Sequence, residues 1–177
     1  MSCKVAMLLV WLMVSGCRER QLARATPQMN IAERFWIRVL LLSDAGECTV
    51  AASSPLSVIN SRLGVIEGHF GQSDGRIRIS MSEGGISVGG RVVSSDEVIL
   101  FPGAPHIFNL NGSPYRGKLQ LVVNADGKTF DAINMVPLEP YLAGVVGAEM
   151  PYYWEPAALE AQAIAARTYC LYIRHVL

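Results

Sequence analysis

Apolar positions follow two different periods along this chain, and each predicts a different kind of element. From Phe35 to Phe108 they fall in short runs: Trp36 to Leu42, Ser57 to Ile59, Ile77 to Ile79, Ile86 to Val88 and Glu97 to Phe101. Segments bearing Gly, Asp or Asn, such as Asp44-Ala45-Gly46 and Ser73-Asp74-Gly75, separate the runs. Short runs bounded in this way predict strands. Leu119, Leu121 and Val123 then alternate, Asp126-Gly127 supplies a turn, and Phe130 to Met135 returns, which predicts a hairpin. Asp-Gly suits a two-residue turn in which both central positions take positive φ. Gly84-Gly85 and Gly89-Gly90 surround a short strand without the strand-to-helix context of a phosphate loop, so they read as turns.

After Met135 the period lengthens. Pro140 is expected as the first helical residue after Glu139; Leu142, Val145, Val146 and Glu149 follow at helical spacing until Pro151 ends the run. A second helix is expected to start at Pro156, with Trp154 before its cap and Leu159 at the spacing of a hydrophobic staple. Leu159, Ala163, Ala166, Cys170 and Ile173 make one small, apolar stripe that can pack closely on a neighbour. The expected fold class is α+β: a strand-rich N-terminal lobe and hairpin, then two helices presenting Glu149 toward a groove.

The N-terminus reads as an export signal. Lys4 precedes the apolar run Val5 to Val14, which is too short to span a bilayer. Val14-Ser15-Gly16-Cys17 resembles the bacterial lipobox, in which cleavage occurs before a lipidated cysteine. The expected organisation is therefore a lipoprotein signal peptide over 1–16, a polar tether over 17–30, a strand-rich part over 31–110 and a core over 111–177. Lipid on Cys17 would anchor an exported protein to a membrane at the cell envelope, in the periplasm or on an outer face.

Charge narrows the partners. Lys plus Arg and Asp plus Glu are 15 each, so no basic field attracts nucleic acid or anionic lipid. Cys48 and Cys170 are the thiols left once Cys3 is removed and Cys17 acylated; a disulfide between them and two separately buried thiols are both open, the second somewhat favoured. His69, His106 and His175 lie far apart and no Cys-x-x-Cys spacing occurs, so neither a metal site nor a cofactor is expected.

Several blocks occur in order: Tyr115-Arg116-Gly117, Leu138 to Val146 (LEPYLAGVV), Glu149-Met150-Pro151 and Ala161 to Tyr169 (AQAIAARTY). Together they resemble the stage II sporulation protein D (SpoIID/LytB) family, densely over Tyr115 to Tyr169 and only in pattern before that. The resemblance implies a lytic transglycosylase acting on peptide-free peptidoglycan glycan strands, with Glu149 as the catalytic acid. One carboxyl group suffices for lytic cleavage, unlike the usual two-carboxylate arrangement. Val145, Val146, Met150 and Pro151 give Glu149 apolar neighbours that favour the protonated acid, and the helix C-terminus acts in the same direction.

Tyr152 and Tyr153 can stack on sugar rings; Trp154 fits a staple at least as well. Gln162, Arg167 and Thr168 are further candidates for substrate contact, with Arg167 holding an acetamido or carboxyl group or pairing with Glu160. Gln162 and Arg167 lie about 140° apart around a helix, so at most one points straight into a shared cleft. The main alternative is a non-catalytic wall-binding enhancer of an autolysin amidase, and a structural envelope lipoprotein is a third reading. Family members look longer, so the chain is expected to be an incomplete copy of its domain with little activity alone. The family name does not itself imply a sporulation role.

Overall fold

Alternation of buried and open positions organises the computed structural model, which describes residues 35–71 and 75–176. The export signal, Cys17, the polar tether, Ser73 and Asp74 lie outside them. Among the described residues, the strands are β1 (Trp36–Ala45), β2 (Glu47–Ala52), β3 (Leu56–Asn60), β4 (Val65–Phe70), β5 (Ile77–Ser82) and β6 (Gly85–Val88). β7 (Arg91–Val93), β8 (Glu97–Pro102), β9 (Ile107–Leu110), β10 (Ser113–Arg116), β11 (Lys118–Val123) and β12 (Phe130–Pro137) complete them, and α1 (Leu138–Glu149) and α2 (Pro156–Val176) follow. This is the α+β class that the two periods predict. All five apolar runs and both arms of the hairpin are strands; β2, β4, β7, β9 and β10 carry weaker patterns.

The strands form two six-stranded antiparallel sheets, in the orders β1-β12-β11-β8-β3-β4 and β10-β9-β2-β5-β6-β7. One face of each is apolar, and the two faces share one core: Val50, Ile79, Ile86 and Phe108 from one sheet, Leu56, Leu100, Leu121 and Phe130 from the other. Each such side chain contributes roughly 1.5–3 kcal/mol on burial. The division drawn at residue 110 falls in the β9–β10 turn. Leu119 of β11 pairs with Leu100 of β8, so strands from both sides of that division share a sheet. The expected strand-rich lobe is therefore continuous with the hairpin, because β11 needs the core that β8 and β3 already line.

Two turns have positive φ at both central residues: Gly89-Gly90 (58° and 84°) and Asn111-Gly112 (51° and 91°). Asp126-Gly127 does not, which corrects the expectation of a two-residue turn. Only Gly127 has positive φ there. The Asp126 carboxylate instead accepts the N–H groups of Lys128 and Thr129 at 2.9 and 3.1 Å, and Gly127 N–H donates to the Asn124 carbonyl. A longer Asx-capped loop forms as a result.

α1 starts two residues before the expected Pro140. Pro137 is its extended N-cap, and Leu138 N–H donates to the Phe35 carbonyl at 2.9 Å. Pro140 sits in the first turn, where a missing N–H costs no helical hydrogen bond. At the other end Met150 is extended (φ −129°, ψ 136°), as the residue before Pro151 must be. α2 begins at Pro156 as expected. Its stripe of Leu159, Ala163, Ala166, Cys170 and Ile173 is half-buried, whereas Ile164, Tyr169 and Tyr172 are exposed.

Candidate functional site

Glu149 is the last residue of α1, and a six-residue connection, Met150 to Glu155, folds α2 back toward it. That reversal lets Gln162 Nε2 donate to Glu149 Oε2. Tyr152 and Tyr153 project from the connection, 90% and 75% exposed, with their rings edge-to-face at 5.6 Å. Trp154 is half exposed beside them. The apolar enclosure expected around Glu149 is not formed. Val145, Val146 and Met150 are half-buried, whereas Glu149 itself is exposed, because the helix ends there and its side chain meets the amide of Gln162 and water.

Arg167 reaches the other end of α1. Its Nε and Nη2 donate to Glu139 Oε1 and Oε2 at 3.0 and 2.7 Å, a bidentate pair that raises the guanidinium above its ordinary value. Glu139, rather than Glu160, is therefore its partner. The angular separation of Gln162 and Arg167 is expressed in full, since the two grip opposite ends of α1. The Thr168 hydroxyl donates to the Ile164 carbonyl at 2.8 Å, one turn back in its own helix, and the residue is exposed. Of the predicted contacts, Gln162 bonds Glu149, Tyr152 and Tyr153 stand in the connection just after it, and Arg167 and Thr168 are engaged elsewhere.

Two grooves border α1, and Glu149 lines neither of them. One, of about 590 Å³, has Asn134, Val136 and Val39 beneath it, Tyr115 on one wall and Gly144 and Ala148 of α1 on another. The other, of about 860 Å³, lies between β1 and α2 and is lined by Arg38, Leu40, Tyr141, Tyr169, Cys170 and Ile173. Burial pushes the Tyr141 hydroxyl up, the Cys170 and Glu149 charges adding to it, and burial likewise raises the Cys170 thiol. Cys48 lies in the core, its thiol pushed up to about 12 by burial and by the neighbouring Glu47. Both thiols are free. Among the described residues no group of three His, Cys, Asp or Glu could hold a metal ion.

Sequence reasoning passed over Asn134, Tyr141 and Glu139 as site residues. Tyr141 and Glu139 lie inside a quoted block and could have been weighed. Asn134 carried one signal, an amide at a position of β12 whose neighbours on the same face, Ala132 and Val136, are apolar.

Two antiparallel sheets and a helical hairpin carrying Glu149 define an α+β protein with an exposed carboxylate site. Residues 126–176, which include β12, α1 and α2, match the model of a family described as SpoIID, stage II sporulation protein, which supports assigning that segment to the family. An uncharacterized protein of Brachyspira hyodysenteriae is 43% identical over 70 residues, 40% of this chain and 18% of that protein. Stage II sporulation protein D of Bacillus amyloliquefaciens and that of Bacillus subtilis are each 53% identical over 38 residues, 22% of this chain and 11% of theirs. The chain thus spans less than a fifth of the length of the curated relatives it matches. No solved structure matches it significantly.

Proposed function

We propose that the protein is an exported, Cys17-anchored lytic transglycosylase that cleaves MurNAc–GlcNAc bonds in peptide-free glycan strands of peptidoglycan. The observation that carries this reading is the carboxyl group of Glu149, placed at the turn end of the helical hairpin with Gln162 donating to one oxygen and the exposed Tyr152 and Tyr153 in the connection that follows it. The family assignment of the surrounding segment supports it.

The chemistry requires one carboxyl group. Protonated Glu149 gives its proton to the glycosidic oxygen as the C1–O bond breaks, and its carboxylate then takes the proton of the sugar's own 6-hydroxyl. That oxygen closes on C1, so a 1,6-anhydro ring forms and no water is consumed. Gln162 fixes the direction of the carboxyl group, and the tyrosine faces offer apolar surfaces to the sugar rings.

A second reading is favoured by one observation: Glu149 is exposed and lines neither groove. In that reading the protein binds wall glycan and enhances an autolysin amidase without cutting. Incubating the full chain with peptide-free glycan and weighing the products separates the two. The transglycosylase leaves 1,6-anhydro ends, Glu149→Gln lowers their formation by about 10²–10⁴-fold, and Glu155→Gln leaves it unchanged. Glycan binding without anhydro ends refutes the catalytic reading and supports the enhancer.

A further inference from the structure

The two sheets differ in what they turn away from the shared core. An antiparallel sheet with one face in water normally alternates, apolar inward and polar outward. The sheet holding β2 and β5 obeys this rule: outward-facing Glu47 pairs with Ser80, Thr49 with Arg78, and Ser80 with Ser87. The other sheet does not. Followed from edge to edge through its pairings, Leu40 lies beside Ile133, then Gln120, Ile99, Ile59 and Ile66, a row that crosses all six strands on the outer face. Gln120 is its one polar member, and its amide donates to Glu97 Oε1 at 2.7 Å. Leu40 and Ile66, at the two ends, are each 56% exposed, and Ile133, Ile99 and Ile59 are half-buried.

Charge is sorted to either side of this row. Toward the helical end of β12, Arg38 and Lys118 flank Met135; toward its start, Glu97 and Asp131 flank Val122. Arg38 is exposed, and the Lys118 ammonium lies over the Trp36 and Phe101 rings at 4.5 and 4.8 Å. Among the described residues neither cation has an ion pair. We propose that this face is a contact between two copies of the chain, related by a two-fold axis lying along the Leu40–Ile66 row. Such an axis keeps position across the strands and reverses position along them. Each aliphatic side chain then meets the same row of the other copy, and the Arg38–Lys118 side of each sheet lies over the Glu97–Asp131 side of its partner. An axis along the strands would instead stack like charges.

The size of the face fits a reversible dimer. Six strands at about 4.8 Å and three rows at about 6.8 Å give a footprint on the order of 500 Å² per copy, or about 1,000 Å² in all, near the lower bound for a specific interface. Other occupants fit less well. A sugar chain needs open aromatic faces, and Lys118 lies over both rings on this side. An anionic lipid surface would meet the carboxylates of Glu97 and Asp131. The contact owes nothing to the chemistry at Glu149, which ends a helix outside this sheet.

Sedimentation of the full chain from about 1 to about 200 µM should show a reversible monomer–dimer equilibrium. Leu40→Glu and Ile66→Glu, both at exposed positions where the fold tolerates a charge, should each weaken it at least about tenfold. Ser87→Glu, on the outer face of the other sheet, should leave it unchanged. Lys118→Glu and Glu97→Lys should each weaken the dimer too, since each sets like charges across the two-fold. An equimolar mixture of those two variants should dimerise within about threefold of the parent, because every contact in the mixed pair again joins opposite charges. Circular dichroism checks that each variant keeps its fold. A parent chain that stays monomeric throughout overturns the proposal and leaves the face to another protein or to lipid. A dimer that survives both Leu40→Glu and Ile66→Glu, or a mixture of folded charge variants no tighter than its components, overturns it as well.

Discussion

Gly117→Ala should be among the most damaging single methyl additions in this protein. Gly117 alone links β10 to β11 and so carries the chain from one sheet to the other. Its φ is +108°, and a Cβ built there would lie 2.1 Å from the Met135 carbonyl oxygen and 3.1 Å from Val136 Cα. The backbone strain alone costs about 1–3 kcal/mol. Relieving the contact requires β12 to move away, which disturbs the Lys118–Met135 pairing and the 2.8 Å hydrogen bond from Gly117 N–H to the His106 carbonyl. Each bond lost adds about 1 kcal/mol, so the expected loss is roughly 3–5 kcal/mol of a total near 5–15. Urea denaturation followed by circular dichroism should show a lower midpoint with an unchanged slope. Gly144→Ala is the control: its Cβ meets nothing, and the helix should gain up to about 1 kcal/mol. A Gly117→Ala protein within about 1 kcal/mol of the parent would refute the reasoning. The change should also disturb the groove beside α1, since Tyr115, Asn134 and Val136, which line it, flank the displaced atoms.

Two further outcomes follow from the helices and the thiols. A double-mutant cycle on Arg167→Ala and Glu139→Ala, read by thermal melts, should give a coupling of about 0.5–1 kcal/mol that shrinks in salt, because both side chains are more than a third exposed; strict additivity would mean that the pair does not clamp α2 to α1. A thiol reagent at pH 8 should modify Cys170 well before Cys48. The folded Cys48 thiol titrates at about 12 against an ordinary 9.0, so its contribution to stability is complete below pH 9 and falls by about 1.4 kcal/mol per unit as pH rises toward 12; early labelling of Cys48 in folded protein, or alkaline stability unchanged by Cys48→Ala, would contradict this.

Much of the fold was legible because period two and period 3.6 are local properties. β12 alternates buried and half-buried positions without a break, and α1 and α2 are punctuated by Pro151 and Pro156. The strands passed over are those whose patterns were diluted. β2 reads Glu-Cys-Thr-Val-Ala-Ala, and the hairpin of β9 and β10 is short, although Asn111-Gly112 announces its turn. Asp126-Gly127 makes the same announcement and forms a different loop, because the Asp126 carboxylate captures two N–H groups downstream, whereas the Asn111 side chain accepts from the Thr49 N–H of neighbouring β2. The order of strands in the sheets is set by which apolar faces share a core, and no local pattern contains it. The partner of Arg167 was illegible for the same reason: helical spacing points to Glu160, and only the reversal between the helices brings Glu139 within reach.

The exposure of Glu149 also bears on how the proposed chemistry divides between protein and substrate. The fold supplies direction: α1 ends there, Gln162 bonds one carboxylate oxygen, and the Pro151 turn aims two tyrosines outward beside it. It does not supply a dry environment, because the hairpin leaves that end open to water. A sugar ring laid across Tyr152 and Tyr153 would cover the side that Gln162 does not, so the substrate itself would complete the enclosure the acid needs.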